Sequence, residues 1–153
     1  MNVFCGVMGL FLCYTGESHC CCLCRKLIEY MRADMDSVLA CCHCAGTIAH
    51  RSDIFSVPGA DGTVGAYVNP HGVVHQTITI KQLASRSCYI LEGQHATTQD
   101  TWFPGYGWII AYCSRCYNHL GWRFVSVGSN GSSSVACFWG IRRGAVVVQR
   151  RQV

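Results

Sequence analysis

Cysteine is the residue type that most constrains the fold of this chain. Thirteen of the 153 residues are cysteines, a density that indicates bound metal, disulfides or both. Cys113 and Cys116 form a Cys-x-x-Cys pair, which places two thiolates on one tight turn. Two such turns brought together supply the four corners of a zinc tetrahedron. We therefore predict a four-thiolate zinc site, with disulfides as the alternative.

Two other Cys-x-x-Cys pairs compete for the second half of this site. Cys41 and Cys44 adjoin a strand-rich region, whereas Cys21 and Cys24 open a stretch with helical periodicity. The local sequence therefore favours Cys41 and Cys44 as the remaining ligands, without excluding the other pair.

The chain begins with an apolar run over residues 3–14, followed by small and polar residues. About 20 apolar residues are needed to cross a bilayer, so this run is too short, and no later run approaches that length. Its position, length and ending are typical of a secretory signal, although no Lys or Arg precedes it. We expect a signal peptide over residues 1–18 and a secreted protein. The alternative is a buried first strand of a cytoplasmic protein.

Residues 19–40 form a Cys-rich segment that we expect to contain a short helix. Leu23, Leu27, Met31 and Met35 fall four residues apart, which is one apolar stripe of a helix. Outside the predicted signal and zinc site, seven cysteines remain: Cys20, Cys21, Cys22, Cys24, Cys42, Cys88 and Cys137. Seven is odd, so if they oxidise, at least one thiol stays free or pairs with another chain.

Beyond Cys44, short β-branched and aromatic runs alternate with turn residues, which indicates a mostly β domain. Asn69-Pro70-His71-Gly72 is a specific β-turn sequence and predicts a hairpin between its flanking strands. A second hairpin has the Cys113/Cys116 turn between its strands, and a last strand pair follows. The predicted strands are residues 54–57, 64–68, 73–80, 108–113, 122–127, 135–139 and 145–149, with residues 81–100 as a long polar loop.

The charge distribution argues against a nucleic-acid binder. Twelve Lys and Arg against eight Asp and Glu give a net charge of +4. Four of the cations (Arg142, Arg143, Arg150 and Arg151) lie near the C-terminal end, and the remaining charges balance. We therefore expect no uniformly basic surface, and we interpret the arginines as a solvated end.

Three of the four tryptophans lie close together in sequence, at Trp102, Trp108 and Trp122, with Phe124 nearby. Pro104-Gly105 forces a turn, so Trp102 and Trp108 can face each other across the bend. Flat indole walls can hold a planar ligand or a cation. Clustered aromatic residues also build ordinary cores, and composition leaves both interpretations open.

Three long stretches resemble one known family. Residues 66–80 (AYVNPHGVVHQTITI), 101–124 (TWFPGYGWIIAYCSRCYNHLGWRF) and 138–143 (FWGIRR) are similar to the CULT family, the thalidomide-binding domains of cereblon, in the same order. The resemblance covers residues 41–143. Residues 144–153 would add a last strand and a basic tail.

The resemblance implies a fold called the β-tent. Two antiparallel sheets are pinned by one structural zinc, here preceded by the short N-terminal helix. The family's spacing selects Cys41 and Cys44 as the first zinc turn, with Cys113 and Cys116 as the second. This agrees with the preference drawn from the local sequence.

The resemblance also implies a ligand pocket. Trp102, Trp108 and Trp122 would be the three walls of an aromatic cage, Phe124 would close its base, and Asn69 would lie at its mouth. In the family this pocket takes a cyclic imide such as a glutarimide, or a uracil-like ring.

Backbone groups beside the first tryptophan would meet the imide, and here they belong to Asp100, Thr101 and Trp102. Asp100 departs from the family, which carries a histidine there, and the loop over residues 81–99 is longer. Binding through the main chain should survive this change, whereas the substituents tolerated at the rim should differ.

The function expected from these features is a non-catalytic binding module. Its ligand would be a free cyclic imide or uracil-like ring, or such a group at a modified protein chain end. Four thiolates leave no open position on the metal, so we expect one structural Zn²⁺. The residues before Cys41 are too few for the other cereblon domains, and ubiquitin-ligase assembly is therefore not expected.

The alternative is a thiol oxidoreductase related to methionine sulfoxide reductases, which share a zinc-pinned fold. It would need a reactive thiol at the pocket, with Cys88 and Cys137 as candidates. His71, His75 and His119 could suggest a second metal site. We expect hydrogen bonding within loops or strands to be their role instead.

Overall fold

Two antiparallel sheets make up the part of the chain that the computed structural model describes, residues 37–89, 95–127 and 135–150. One sheet has three strands and the other has six. The expected mostly β fold of two antiparallel sheets is therefore confirmed. The predicted signal peptide and N-terminal helix lie outside the described residues.

The smaller sheet, sheet A, has the strand order β2-β1-β9. Its strands are β1 (Ser37–Cys41), β2 (Thr47–His50) and β9 (Val146–Arg150). The hairpin of β1 and β2 was not predicted from the sequence. The central strand β1 is buried along its whole length and pairs with β9 from Ser37↔Arg150 to Cys41↔Val146. Sheet A therefore joins the two ends of the described chain.

The larger sheet, sheet B, has the order β3-β4-β8-β7-β6-β5. Its strands are β3 (Val64–Val68), β4 (Val74–Ile80), β5 (Cys88–Tyr89), β6 (Tyr106–Cys113), β7 (His119–Ser126) and β8 (Cys137–Arg142). The predicted hairpins β3–β4 and β6–β7 are both present.

The structure corrects two strand predictions. Residues 54–57 were expected to form a strand, but only Ile54 makes a bridge, to Ile80. Strands β8 and β9 were expected to pair with each other, but they belong to different sheets. A 3-10 turn at Arg143–Ala145 separates them and carries the chain from sheet B into sheet A.

Two hydrophobic clusters form the core. The first joins the two sheets and includes Leu39 and Ile48 from sheet A with Ile80 and Ile141 from sheet B. The second is aromatic and lies within sheet B and its loops, where Phe103, Tyr106, Phe124 and Phe138 pack together with Val57. Phe124 and Phe138 stack with ring centroids 5.0 Å apart, which gives the tryptophan region a rigid base.

A β-bulge interrupts the pairing of β6 with β7. Ala111 pairs with Gly121, but Tyr112 pairs with His119, so Leu120 is the extra residue. A bulge redirects the side chains on one side of it, and here it brings His119 onto the same face as Trp122. Gly121 adopts a φ of +148°, and a Cβ there would lie 2.0 Å from the Gly140 carbonyl oxygen. The close approach of β7 to β8 therefore requires glycine.

Candidate functional site

The four predicted metal ligands lie together where the two sheets meet. Cys41 ends β1, Cys113 ends β6, and Cys44 and Cys116 follow in the adjoining turns. Their sulfur atoms all lie within 4.8 Å of one another. The Cys41–Cys116 and Cys44–Cys113 sulfur pairs are each separated by 3.6 Å. A zinc–sulfur bond of about 2.3 Å gives a tetrahedron with edges of about 3.8 Å, so this cluster fits a metal ion such as zinc.

The two cysteine turns have the same backbone geometry. In the first, Ala45 N–H donates to Cys41 O, and Ala45 has a φ of 55°. In the second, Tyr117 N–H donates to Cys113 O, and Tyr117 has a φ of 56°. Left-handed backbone is unusual for residues other than glycine. Its repetition after the second cysteine of both turns indicates one shared ligand-holding geometry.

Local hydrogen bonds favour thiolate at one of the ligands. Burial opposes ionisation of Cys41, but hydrogen bonds, first those from the backbone N–H groups of Cys44 and His43, outweigh it and lower its pKa to about 6. Without bound metal, the pKa values of Cys113 and Cys116 are raised instead, that of Cys113 by burial. The side-chain amide of Asn118 adds a donor 3.8 Å from the Cys41 sulfur. Donors around a sulfur stabilise its charged form, which is the form that binds metal.

A separate cavity of about 530 Å³ opens on one face of sheet B. Trp102, Trp108 and Trp122 all line it, with Phe124 beneath them. Trp102 and Trp122 touch edge to face, with ring centroids 4.7 Å apart. The cavity therefore borders a contacting pair of indoles and also reaches Trp108. Its size is within the range of small-molecule sites, about 300–1,000 Å³.

The strands and core hold the tryptophans in place. Trp108 and Phe124 are paired across β6 and β7, and the Trp108 indole donates to the Gln99 carbonyl at 2.8 Å. Phe124 is only 1% exposed, so it can form the floor of the cavity but offers it little surface. Trp102 stacks on Tyr67, with ring centroids 5.1 Å apart and planes inclined by 13°.

The β3–β4 turn forms one side of the cavity mouth. Asn69 accepts hydrogen bonds from the backbone N–H groups of His71 (3.1 Å) and Val73 (2.9 Å) through its side-chain oxygen. Gly72 N–H donates to Asn69 O at 2.9 Å, and Gly72 has a φ of 77°. The predicted turn is therefore confirmed, and the Asn69 oxygen is already used in holding it.

The opposite side of the mouth is the segment before Trp102. Thr97 and Trp108 exchange two backbone hydrogen bonds, of 3.1 and 2.9 Å, which fix this segment against β6. Asp100 lines the cavity, is exposed and has a φ of 55°. Thr101 is not among the lining residues, and its N–H donates to Thr98 O at 3.3 Å. Of the seven predicted pocket residues, Thr101 is therefore the one set back from the cavity.

Three histidines in the lining, His71, His75 and His119, were not assigned to the pocket from the sequence. Burial and then the charge of Arg142 lower the pKa of both His75 and His119. The rings of His75 and His119 contact Trp122, each with centroids 5.1 Å away. The position of His119 was missed because the sequence does not show the bulge that turns it toward Trp122. The wall beside this tryptophan is therefore polar but uncharged near neutral pH.

The histidines make hydrogen bonds within the fold, as expected. His75 lies 3.5 Å from the Asn69 amide nitrogen, and His119 lies 3.1 Å from the Gly121 carbonyl oxygen. Among the residues with described coordinates, Cys41, Cys44, Cys113 and Cys116 are the one group with metal-binding geometry. The histidines therefore do not form a second such group there.

The two candidate redox thiols lie outside the cavity lining. Burial raises the pKa of Cys88 to about 11, so this thiol is protonated at neutral pH and is a poor nucleophile. Cys137 lies in β8, with its sulfur 3.9 Å from an Arg123 nitrogen. Neither thiol reaches the tryptophan-lined space.

In the described parts of the chain, no helix has the length and hydropathy needed to cross a membrane.

Comparison with known proteins identifies similar sequences. Protein cereblon of Gallus gallus is 36% identical over 126 residues, which cover 78% of this chain and 27% of that protein. Protein cereblon of Xenopus tropicalis is 38% identical over 125 residues, and that of Danio rerio is 37% identical over 126, each covering 78% of this chain. No protein-family model matches the chain.

Among solved structures, the crystal structure of the Mis18 "Yippee-like" domain is similar, with a TM-score of 0.47 and 9% identity. The match covers 76% of this chain and 98% of that one. A likeness this low carries no argument about function or fold.

The sequence similarity and the geometry agree. The chain spans about a quarter of the length of the cereblon proteins it matches. The match extends over most of this chain, which folds into two antiparallel sheets that meet at four clustered cysteines. The chain therefore contains a cereblon-like CULT domain.

Proposed function

We propose that this domain is a non-catalytic module that binds a cyclic imide, such as a glutarimide, or a uracil-like ring. The observation that carries the proposal is the 530 Å³ cavity, which is walled by Trp102, Trp108 and Trp122. Indole faces suit a flat or compact ring. Membership of the cereblon-like family supports the choice of a cyclic imide over other rings of similar size.

The electrostatics of the cavity support an uncharged ligand. The lowered pKa values of His75 and His119 keep both imidazoles neutral near pH 7. Among the described lining residues, Asp100 is the one acidic side chain, and it lies exposed at the rim. A cationic ligand deep in the cavity would meet no carboxylate there. A neutral imide would instead use the apolar walls for affinity and backbone groups near Asp100 and Trp102 for orientation.

A single zinc ion held by Cys41, Cys44, Cys113 and Cys116 would be structural. Four thiolates complete a tetrahedral shell and leave no position for water or substrate. The ion would supply folding free energy by holding the cysteine turn after β1 against the cysteine turn after β6. The cavity itself is lined by residues of sheet B and its loops, so zinc would act on binding through the fold.

The described lining of the cavity offers neither a pair of carboxylates nor a thiol nucleophile, and its single carboxylate is that of Asp100. A thiol oxidoreductase would need a low-pKa cysteine at the substrate, whereas the pKa of Cys88 is raised to about 11. These features favour binding over catalysis.

Titration with a glutarimide compound, followed by tryptophan fluorescence, tests the proposal. Three of the four tryptophans line the cavity, so wild-type protein should give a saturable change. Trp102→Ala should abolish it. Trp139→Phe removes the tryptophan outside the cavity and should bind as wild type does. A wild-type protein without a saturable response to either a glutarimide or uracil would refute the proposal.

We further propose that residues 1–18 are a signal peptide and that the protein is secreted. The support is the apolar run over residues 3–14 with its small-residue ending. Sequencing the N-terminus of protein expressed in a eukaryotic secretory host tests this. Cleavage near residue 18 is expected, and an intact Met1 on protein retained in the cytosol would contradict it.

A further inference from the structure

A cation lies directly behind the Trp122 side of the cavity. Arg142, the last residue of β8, has its Nη1 atom 2.9 Å from Nδ1 of His119. A guanidinium has donors and no acceptor, so Nδ1 of His119 must accept this hydrogen bond. The imidazole proton therefore lies on Nε2, which donates to the Gly121 carbonyl oxygen at 3.1 Å.

These contacts leave His119 a single compatible form. Moving the proton to Nδ1, or adding a second proton there, would place two donors against each other 2.9 Å apart. Each change would therefore break the contact with Arg142. Both ring nitrogens are satisfied only when His119 is neutral and carries its proton on Nε2.

The orientation of His119 bears on the cavity wall. Its ring meets Trp122 edge to face, with centroids 5.1 Å apart and planes inclined by 88°. The bulge at Leu120 brings His119 to this face, and the Gly121 carbonyl anchors its Nε2 atom. A change in the charge or tilt of His119 would therefore first alter the packing of Trp122.

We propose that Arg142 is a positioning residue for the cavity: by donating to Nδ1 of His119 it holds this imidazole neutral with its proton on Nε2, and so preserves the Trp122 wall when the surroundings acidify. The role in ligand binding rests on the function proposed above. The fixed tautomer rests on the geometry alone.

Two titratable groups that face His119 lower its pKa. Arg142 faces it from β8, His75 approaches from β4, and Tyr112 is its partner in β6, with ring centroids 5.8 Å away. Burial, then Arg142, then His75 lower the pKa of His119, while the Gly121 carbonyl opposes them. The geometric and electrostatic effects of Arg142 therefore both disfavour a second proton.

Nitrogen-15 NMR of the histidine rings tests the tautomer directly, without a ligand. His119→Gln identifies the signals. In wild-type protein the two ring nitrogens should keep the shifts of the Nε2–H tautomer from pH 7.5 to 5.5. In Arg142→Met they should move toward the shifts of the doubly protonated ring at a higher pH than in wild type, although the burial that also lowers the pKa of His119 remains. Arg143→Met, which removes the neighbouring exposed arginine, is the matched control and should behave as wild type.

Binding of a glutarimide probe over the same pH range tests the consequence. Wild type and Arg143→Met should keep a constant Kd. Arg142→Met should bind as wild type at pH 7.5 and lose affinity progressively toward pH 5.5, because only the neutral fraction of His119 remains competent. A merely structural role for Arg142 would weaken binding equally at both pH values.

The two measurements separate this inference from the proposed function. If neither wild type nor the variants bind the probe but His119 shows the fixed tautomer, the proposed function is refuted. The fixed tautomer then stands, and only the role of Arg142 in ligand binding is lost with the proposed function. A wild-type His119 with its proton on Nδ1, or protonated by pH 6, would overturn the inference even if Arg142→Met could not be folded. A folded Arg142→Met in which His119 keeps the same tautomer and gains its second proton at the same pH as in wild type would overturn it as well.

Discussion

The indole nitrogen of Trp102 donates a hydrogen bond of 3.0 Å to the backbone carbonyl of Val68. This bond connects the cavity wall to the end of β3, just before the turn that forms the cavity mouth. The Tyr67 ring stacks on the same indole. The position of Trp102 and the closure of the hairpin over the cavity therefore depend on each other.

Trp102→Phe should weaken glutarimide binding about fivefold. Phenylalanine keeps an aromatic wall but loses the hydrogen bond to Val68, and one such bond is worth about 1 kcal/mol. Isothermal titration calorimetry would measure the change. Trp139→Phe, which makes the same substitution outside the cavity, is the control, and an equal loss of affinity in both variants would contradict the prediction.

Cys113→Ser should remove the bound metal and most of the stability. Metal binding at a structural zinc site is worth about 10–16 kcal/mol in zinc-finger peptides, so losing one of four ligands should leave the domain unable to hold its sheets together. Elemental analysis should fall from one zinc per chain to far less, with a large drop in Tm. Cys42→Ser removes an exposed neighbouring thiol and should keep both the zinc content and the Tm of the wild type.

Cys88 should react slowly with iodoacetamide at neutral and mildly alkaline pH. Burial raises its pKa to about 11, so the reactive thiolate becomes the main form only when the pH rises through that value. The exposed Cys42 is the internal comparison. Peptide mass spectrometry after timed labelling would measure both rates. Labelling of Cys88 at pH 7 as fast as that of Cys42 would reopen the oxidoreductase alternative.

Gly121→Ala should destabilise the domain by at least about 2 kcal/mol. A Cβ at this position would lie 2.0 Å from the Gly140 carbonyl oxygen, and the φ of +148° is unfavourable for alanine. Urea unfolding would measure the loss. Gly144→Ala is the matched control, because a Cβ there meets nothing within 4 Å. Similar stability of the two variants would contradict the close approach of β7 and β8.

The parts of the fold that local chemistry dictates were predictable from the sequence. The Asn69–Gly72 turn has side-chain and backbone preferences that permit little else, and it placed β3 and β4 correctly. The two cysteine turns were recognisable for the same reason. The choice of Cys41/Cys44 over Cys21/Cys24 also drew support from the family resemblance.

The parts that depend on distant contacts were not predictable. The strand β1 pairs along its whole length with β9, more than 100 residues later in the chain, and local sequence does not show this contact. The separation of β8 from β9 depends on the short 3-10 turn at Arg143–Ala145, which has no strong local signal. The bulge at Leu120 is equally hidden, and with it the approach of His119 to Trp122.

None of the described residues that line the tryptophan cavity comes from sheet A. Sheet A and the cysteine cluster therefore serve as a foundation, and the described part of the proposed binding surface comes from the β3–β4 turn, strands β4, β6 and β7, and residues 97–102. Substitutions in the rim at Thr97, Gln99 and Asp100 could alter ligand preference with little effect on the foundation. This separation makes the domain a practical scaffold for engineering new ligand specificities one rim residue at a time.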